Sequence, residues 1–201
     1  MLKMVSKKSM LLLGAVLALC AFALPSVASA ASWSPVGTTD GRIDTSQLGF
    51  SVPALATGSS CESTSISVVV DSAAVATITG ASFANCHGNI GGAVGCTQTA
   101  VGTNYPWRVT ALTTSSIQIH GVDIDINYET TPGTLNECAN TGLNLRLTGT
   151  TAVSFTPGAA GSRTVDFGGA TGLVTHIPGV GTVPLAARGS GTATGLLNVI
   201  M

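Results

Sequence analysis

The feature that most constrains this fold is the alternation of apolar and polar residues in several short segments. Apolar residues occupy every second position in residues 122–128 and 143–147, and turn-forming residues separate such segments from their neighbours. Because successive side chains of a β-strand point to opposite faces of a sheet, this period predicts strands that bury one face. We therefore predict an all-β fold, either a β-sandwich or a closed β-barrel of about 8–11 short antiparallel strands.

The alternation changes phase once within the clearest of these segments. Ile117 and Ile119 occupy odd positions, whereas Val122 and Ile124 occupy even ones. An uninterrupted strand would turn one of these pairs towards water. A β-bulge inserts one extra residue and restores the phase, and glycine tolerates the positive φ that such a residue often adopts. We predict a bulge at Gly121 that keeps both halves of the strand facing the core.

Two hairpins are predicted from adjacent segments. The first joins residues 64–70, whose even positions are apolar or Thr, to residues 75–83, whose odd positions would share one face, through a tight turn after Val70. The second joins residues 143–147 to residues 153–155 through a turn at residues 148–151. Further short strands are predicted at residues 164–167, 172–177, 182–186 and 196–199.

The N-terminal segment has the three parts of a bacterial signal peptide. Lys3, Lys7 and Lys8 precede an apolar run at residues 10–24, and the small residues Ala-Ser-Ala end at position 30. The run is shorter than the roughly 20 residues that a transmembrane helix needs. We predict cleavage after Ala30, which leaves residues 31–201 as a single domain that is secreted or periplasmic and not transmembrane.

The charge of the predicted mature chain excludes two classes of partner. All three lysines lie in the predicted signal peptide, so residues 31–201 carry five arginines and nine acids, a net charge of −4 with neutral histidines. Nucleic-acid binding and electrostatic docking on anionic lipid both need a basic surface. We therefore predict no nucleic-acid partner.

Four cysteines remain after the predicted processing, and an even number in an exported chain predicts two disulfides. They are Cys61, Cys86, Cys96 and Cys138. A zinc site is the competing interpretation, but the irregular spacing lacks a C-x-x-C pair. The first hairpin would place Cys61 opposite a position about two residues before Cys86, close enough for a disulfide after a small irregularity. We predict Cys61–Cys86 and Cys96–Cys138, with Cys86–Cys96 and Cys61–Cys138 as the alternative.

The sequence carries no recognisable catalytic motif. His87, His120 and His176 do not form an H-E-x-x-H pair, and no G-x-S-x-G segment is present. The Gly-rich residues 91–95 lack the preceding strand and the lysine of a phosphate-binding loop, so an ordinary loop is favoured. We predict no enzymatic activity, no catalytic residue and no cofactor.

Two further groups of residues could bind a ligand. Asp123, Asp125 and Asn127 alternate along one strand and could hold Ca²⁺, but we favour a solvated strand face and predict no metal site. Tyr105 and Trp107 flank a proline and could form an aromatic platform for a sugar or an apolar ligand. For this pair we favour the alternative, a core anchor at the start of a strand.

The order of several short motifs resembles that of a known family. ASWSPVGT follows the cleavage site at residues 31–38, a cysteine-bearing hairpin and a second cysteine loop come next, and YPWRVT at residues 105–110 precedes the strand through Gly121 and Val122. Over residues 33–138 the chain resembles the small exported proteins known as alkane oxidation activators. The resemblance implies a non-enzymatic extracytoplasmic protein that helps cells use hydrophobic carbon sources. Its partners would then be apolar small molecules or cell-surface components.

Two other functions remain open from the sequence. The apolar C-terminal residues 196–201 could add a strand to a neighbouring molecule, which would make the chain a structural or adhesive cell-surface protein. A small secreted hydrolase is the third alternative. Binding of a fluorescent apolar probe would favour the hydrocarbon-related function, whereas oligomers that disappear on deletion of residues 196–201 would favour assembly.

Overall fold

Twelve strands are formed in the computed structural model, which describes residues 31–53, 57–90, 93–128, 144–157, 162–194 and 198–200. No α-helix occurs in these ranges, so the all-β prediction is confirmed. The strands are β1 (Ser32–Ser34), β2 (Gly41–Val52), β3 (Thr57–Val70), β4 (Ala76–Ile90), β5 (Ala93–Gly102), β6 (Trp107–Thr113), β7 (Ser116–Tyr128), β8 (Asn144–Pro157), β9 (Ser162–Asp166), β10 (Ala170–Ile177), β11 (Gly181–Thr194) and β12 (Asn198–Ile200).

Ten of these strands form one antiparallel sheet, within the predicted range, while β1 and β12 pair only with each other. The pairings of the large sheet follow a circuit from β2 through β3, β4, β5, β7, β8, β9 and β11 back to β2. At each of two positions in this circuit, a pair of strands lies between the same two neighbours. β5 and β6 both lie between β4 and β7, and β9 and β10 both lie between β8 and β11.

The core is built from alternate residues of these strands, as the sequence pattern predicts. The largest side chains with almost no exposed surface include Phe155, Ile78, Ile117, Ile126 and Leu147. Trp33 of β1 adds to this core: its ring packs edge to face on that of Phe155 with centroids 6.1 Å apart, and its backbone N–H donates to the carbonyl of Ala73. Burial of such large apolar side chains is the main favourable contribution to folding.

The predicted bulge at Gly121 is confirmed. His120 pairs with Thr150 and Val122 pairs with Gly149, so Gly121 is the extra residue of β7, and its φ is +71°. The isoleucines on the odd positions before the bulge and the apolar residues on the even positions after it are all buried: Ile117, Ile119, Val122, Ile124 and Ile126. The strand therefore keeps one face in the core through the change of phase.

The first predicted hairpin exists, but its details differ. A tight turn does follow Val70, but it is centred between Ala73 and Ala74, because Ser72 and Val75 exchange backbone hydrogen bonds. Val70 pairs with Ala76, and Val68 pairs with Ile78 while Ser67 pairs with Gly80. Thr79 is therefore a second extra residue. The prediction that the odd positions of residues 75–83 all share one face is wrong, because the even residues Ala76 and Ile78 are buried before this bulge. After it the inward positions become odd, and Ala81 and Phe83 pack against the core.

The second predicted hairpin is wrong. Residues 148–151 form no turn; they continue β8, which is a single strand from Asn144 to Pro157. Its alternation runs without a break through Leu147, Thr151 and Val153, all of which are buried. Thr148 pairs with Asp123 of β7 and with Val174 of β10, so neighbours on both sides hold this stretch extended. The strands are also longer than predicted, up to 15 residues in β4, because bulges change the phase without ending a strand.

The two ends of the described chain meet. β12 runs antiparallel to β1, with Trp33 opposite Val199. The C-terminal strand, which the assembly alternative would add to a neighbouring molecule, is thus paired within its own chain at residues 198–200. Residues 1–30 lie outside the described residues, so the signal peptide and its cleavage after Ala30 stay predictions.

Candidate functional site

The preferred pairing of Cys61 with Cys86 is confirmed. The two residues lie directly opposite each other on β3 and β4 and form a disulfide that is almost completely buried. The extra residue Thr79 brings them into register, because it moves every later pair of this hairpin by one position. Cys96 is buried and disulfide-bonded, whereas its predicted partner Cys138 lies outside the described residues. The Cys96–Cys138 bond therefore stays a prediction.

Tyr105 and Trp107 lie where the chain passes from β5 to β6. Trp107 is 3% exposed, and its indole N–H donates to the carbonyl of Thr103 at 2.9 Å. The Tyr105 ring stacks on it with centroids 4.8 Å apart, and it covers Gly102, where a Cβ would collide with the tyrosine hydroxyl. Burial raises the pKa of the Tyr105 phenol. The indole is thus part of the core, and the half-buried tyrosine packs over it.

Asp123 holds the loop that carries these aromatic residues. One carboxylate oxygen accepts a hydrogen bond from Arg146 Nε at 2.9 Å, and the other accepts from Arg146 Nη2 and from Asn104 Nδ2, both at 2.6 Å. The Arg146 hydrogen bonds lower the pKa of Asp123 to about 2 despite the opposing effect of burial. Asn104 belongs to the loop between β5 and β6, so the carboxylate ties that loop to β7 and β8.

The prediction of a solvated strand face is therefore wrong for Asp123. Its side chain is 10% exposed because Arg146 and the loop cover it. The Ca²⁺ alternative finds no support in its geometry either, since both carboxylate oxygens already accept hydrogen bonds from cationic or amide donors. Asp125 is 44% exposed and lies 4.0 Å from Arg146. Among the described residues, no group of three or more His, Cys, Asp or Glu side chains is placed to hold a metal ion.

Side chains fill the core that the buried face of the large sheet covers. A cavity of about 30 Å³ lies among Trp107, Phe83 and Phe167, and one of about 10 Å³ lies beside Tyr128. Sites for small organic ligands typically measure about 300–1,000 Å³. Neither interior cavity is large enough for such a ligand in this conformation.

A groove of about 440 Å³ on the outer face of β11, β2, β3 and β4 falls within that range. We call it the outer groove. Two rows of outward residues form it, one across each of the four strands. The first row is Arg188, Gly49, Ser60 and His87, and the second is Ala186, Ser51, Gly58 and Asn89.

The glycines explain why this surface is concave. Gly49 and Gly58 lie diagonally on neighbouring strands and leave the backbone uncovered between the longer side chains. A Cβ on Gly49 would come no nearer than 3.4 Å to another atom, and one on Gly58 would be 3.3 Å from the Phe50 carbonyl. At Gly88, by contrast, a Cβ would overlap the amide of Gln98. The packing therefore excludes a Cβ at position 88, leaves ordinary room for one at position 49 and leaves tight room for one at position 58.

The outer groove is also distinct in charge. Among the described residues no Asp or Glu lines it, although the predicted mature chain is acidic, and its walls carry Arg188 and His87 with two serines and an asparagine. Arg188 is exposed and has no ion pair with any described carboxylate. The arrangement offers hydrogen-bond donors and one permanent positive charge around an open floor of backbone. Such chemistry suits a ligand with an anionic group.

Comparison with known proteins places the chain in a family. A family model described as alkane oxidation protein activator PraA/PraB-like matches residues 4–174. The chain belongs to this family. The match is longer at both ends than the resemblance found in the sequence over residues 33–138. No curated protein and no solved structure matches the chain significantly.

The site residues of this PraA/PraB-like protein fall mostly within the matched span. It includes the Cys61–Cys86 disulfide, Asp123, Arg146 and three strands of the outer groove, whereas Arg188 lies beyond residue 174. Sequence reasoning missed the outer groove, because its residues come from four strands. The available signal was glycine inside strand patterns, which often marks a close approach of a ligand or another backbone. Within the described ranges there is no helix with the length and apolar character needed to cross a membrane.

Proposed function

We propose that this PraA/PraB-like protein is exported, has no enzymatic activity, and assists the use of hydrophobic substrates by binding. The observation that carries the proposal is the family match over residues 4–174, since the family is described by its role in activating alkane oxidation. An activator of oxidation need not perform the oxidation itself. Its contribution can be to bind or present molecules that other proteins convert.

The buried Cys61–Cys86 disulfide supports export. Disulfides persist in oxidising compartments outside the cytoplasm and are rare in reducing ones. The bond joins two adjacent strands of the core, so folding in a reducing compartment would leave two buried thiols there instead. The N-terminal sequence, with its lysines, apolar run and small-residue end, points to the same compartment.

Two features of the site support binding over catalysis. Among the described carboxylates, that of Asp123 has a lowered pKa, and its hydrogen bonds to Arg146 and Asn104 hold a loop in place. The outer groove, one of the described surface spaces large enough for a small molecule, is lined by hydrogen-bonding side chains and one fixed cation. A shallow polar surface of this kind suits recognition of a ligand.

We also infer that the large sheet closes into a barrel, because its pairings return from β11 to β2. A closed barrel has no long free edge at which a neighbour's strand could add. With β12 paired to β1, this architecture gives the assembly alternative no specific support.

A genetic experiment with localisation controls tests the proposal. Deletion of the gene in its native host should slow growth on a liquid n-alkane and leave growth on a water-soluble carbon source unchanged. The full-length gene should restore growth on the alkane, and a variant that lacks residues 2–30 should not, because it would stay in the cytoplasm. Growth of the deletion strain on the alkane at the wild-type rate would refute the proposed function.

The absence of enzymatic activity is tested separately. The exported protein is incubated with an n-alkane and with a panel of ester and glycoside substrates, and products are measured by mass spectrometry. We expect no conversion above that of heat-denatured protein. Turnover of any substrate would show that the protein is an enzyme.

A further inference from the structure

The two glycines of the outer groove call for an explanation that the fold does not supply. Glycine weakens a strand because it adds no side chain to pack and loses the most conformational entropy on folding. At Gly88 the Gln98 amide accounts for it, but at Gly49 and Gly58 the nearest atoms leave room for a Cβ at ordinary or slightly tight distance. Neither residue has a positive φ. Larger side chains at positions 49 and 58 would fill the outer groove.

Arg188 supplies the anchor for a ligand in this groove. It follows Ala187, which is buried, so its own side chain is on the outer face, beside Gly49. A guanidinium presents donors in a planar fork that matches a carboxylate, and such charge-assisted pairs are stronger than neutral hydrogen bonds. Because no described carboxylate pairs with Arg188, a ligand would meet this cation without displacing an internal partner.

Resting on the proposed function above, we propose that the outer groove binds an alkanoate, with its carboxylate on Arg188 and its aliphatic chain across the glycine floor. Terminal oxidation of an alkane converts its methyl end into a carboxylate. The ligand is therefore a product of the reaction class that the family activates, and an alkane-oxidising system must supply it. The floor at Gly49 and Gly58 lets the chain lie against the backbone, and the hydroxyl of Ser60 lies in the same row as Arg188.

Binding is measured on the exported protein with three probes at neutral pH, with octanoate below its micellar concentration and 1-octanol below its solubility limit. Octanoate carries the carboxylate and the chain, 1-octanol carries the chain alone, and glucuronate carries a carboxylate on a sugar. Titrations by calorimetry give the affinities, and backbone amide shifts in NMR spectra locate the site. We expect octanoate to bind most tightly and to shift the amides of Gly49, Gly58 and His87.

Variants with matched controls identify the anchor and the floor. Arg188→Gln should weaken octanoate binding about tenfold or more, since it removes the charged donor. Arg108→Gln, at an exposed arginine of β6 outside the groove, should leave the affinity unchanged. Gly58→Val should fill the floor and weaken binding, whereas Gly80→Val, at a position with nothing within 4 Å of the added Cβ, should not.

The outcomes separate this inference from the proposed function. Unchanged octanoate affinity in Arg188→Gln, absence of octanoate binding, or glucuronate binding as tightly as octanoate would each overturn the alkanoate site. If Gly58→Val does not fold, Arg188→Gln with its Arg108→Gln control decides. A deletion strain that grows poorly on alkane while octanoate does not bind would refute only the alkanoate site. Octanoate binding without a growth defect on alkane would refute only the proposed function.

Discussion

Asp123 and Arg146 form a two-point ion pair across β7 and β8, although Arg146 lies directly opposite Asp125 in the register. The guanidinium reaches diagonally to the more buried carboxylate, which also accepts a hydrogen bond from Asn104. This diagonal contact joins two strands to the loop that carries Tyr105. The carboxylate of Asp123 therefore contributes to the stability of that loop.

Replacing this carboxylate should destabilise the protein. Asp123→Asn removes the charge that Arg146 and Asn104 bind, and we expect a loss of about 1–3 kcal/mol in the free energy of unfolding. The loss should lie in the lower half of this range, because Arg146 is 58% exposed and water screens its charge. Denaturant unfolding measures the change. Asp125→Asn is the matched control and should cost much less; equal losses for the two variants would contradict the assigned role of Asp123.

The same ion pair predicts an acid-dependent loss of stability. The pKa of Asp123 is lowered from its ordinary 3.8 to about 2, so the folded state favours the ionised form. The resulting stabilisation is fully present above about pH 4 and is lost as the pH falls through about 2. The difference in unfolding free energy between wild type and Asp123→Asn should shrink over this range. A difference that is constant from about pH 5 to about pH 2 would show that the carboxylate is not held in this way.

The bulge at Gly121 should tolerate no β-branched residue. An added Cβ would meet nothing within 4 Å, so any cost of Gly121→Val comes from the backbone conformation at φ +71° and not from a clash. We expect a loss of about 1–3 kcal/mol. Gly80→Val, without a positive φ and with equally open space, is the control. An unchanged denaturation midpoint for Gly121→Val would count against the bulge.

Peptide mapping without reduction should recover two disulfides from the exported protein. One joins Cys61 to Cys86, as the structure shows, and we predict that the other joins Cys96 to Cys138. A Cys96→Ala, Cys138→Ala double variant should still be exported but should unfold with about 2–4 kcal/mol less free energy. Isolation of a peptide that links Cys86 to Cys96 would refute this pairing.

The exported protein should begin at Ala31. Intact-mass measurement and N-terminal sequencing of material from the native host would show this directly. Replacing Ala28 and Ala30 by bulky residues should block processing, because signal peptidase sites need small residues at these two positions. Exported protein that retains residues 1–30 would contradict the signal peptide.

Several features of the fold followed from local patterns. The phase change between Ile119 and Val122 located a bulge that the structure contains, because a strand with one buried face cannot switch faces without an extra residue. The pairing of Cys61 with Cys86 followed from the approximate register of one hairpin. The core position of Trp107, favoured from its place at the start of a strand, also agrees with its burial.

Other features depended on neighbours that are distant in sequence. Residues 148–151 contain threonines and a glycine that suit a turn, yet pairing with Asp123 on one side and with Val174 on the other keeps them extended. Thr79 carries no local sign of a bulge. Thr79 is identified as the extra residue only by the register of β3 and β4, in which Val68 pairs with Ile78 and Ser67 pairs with Gly80.

The sequence by itself determined the strand-rich class, the burial of alternate residues and one of the disulfides, because side-chain direction along a strand depends only on the period. The tertiary structure decided which strands are neighbours, and that choice created the candidate site. The outer groove exists only because β11, β2, β3 and β4 lie side by side, which brings together Gly49, Gly58, His87 and Arg188. The free energy that favours this strand order comes from burial of the whole core. The strand order therefore cannot be predicted from any local segment of the sequence.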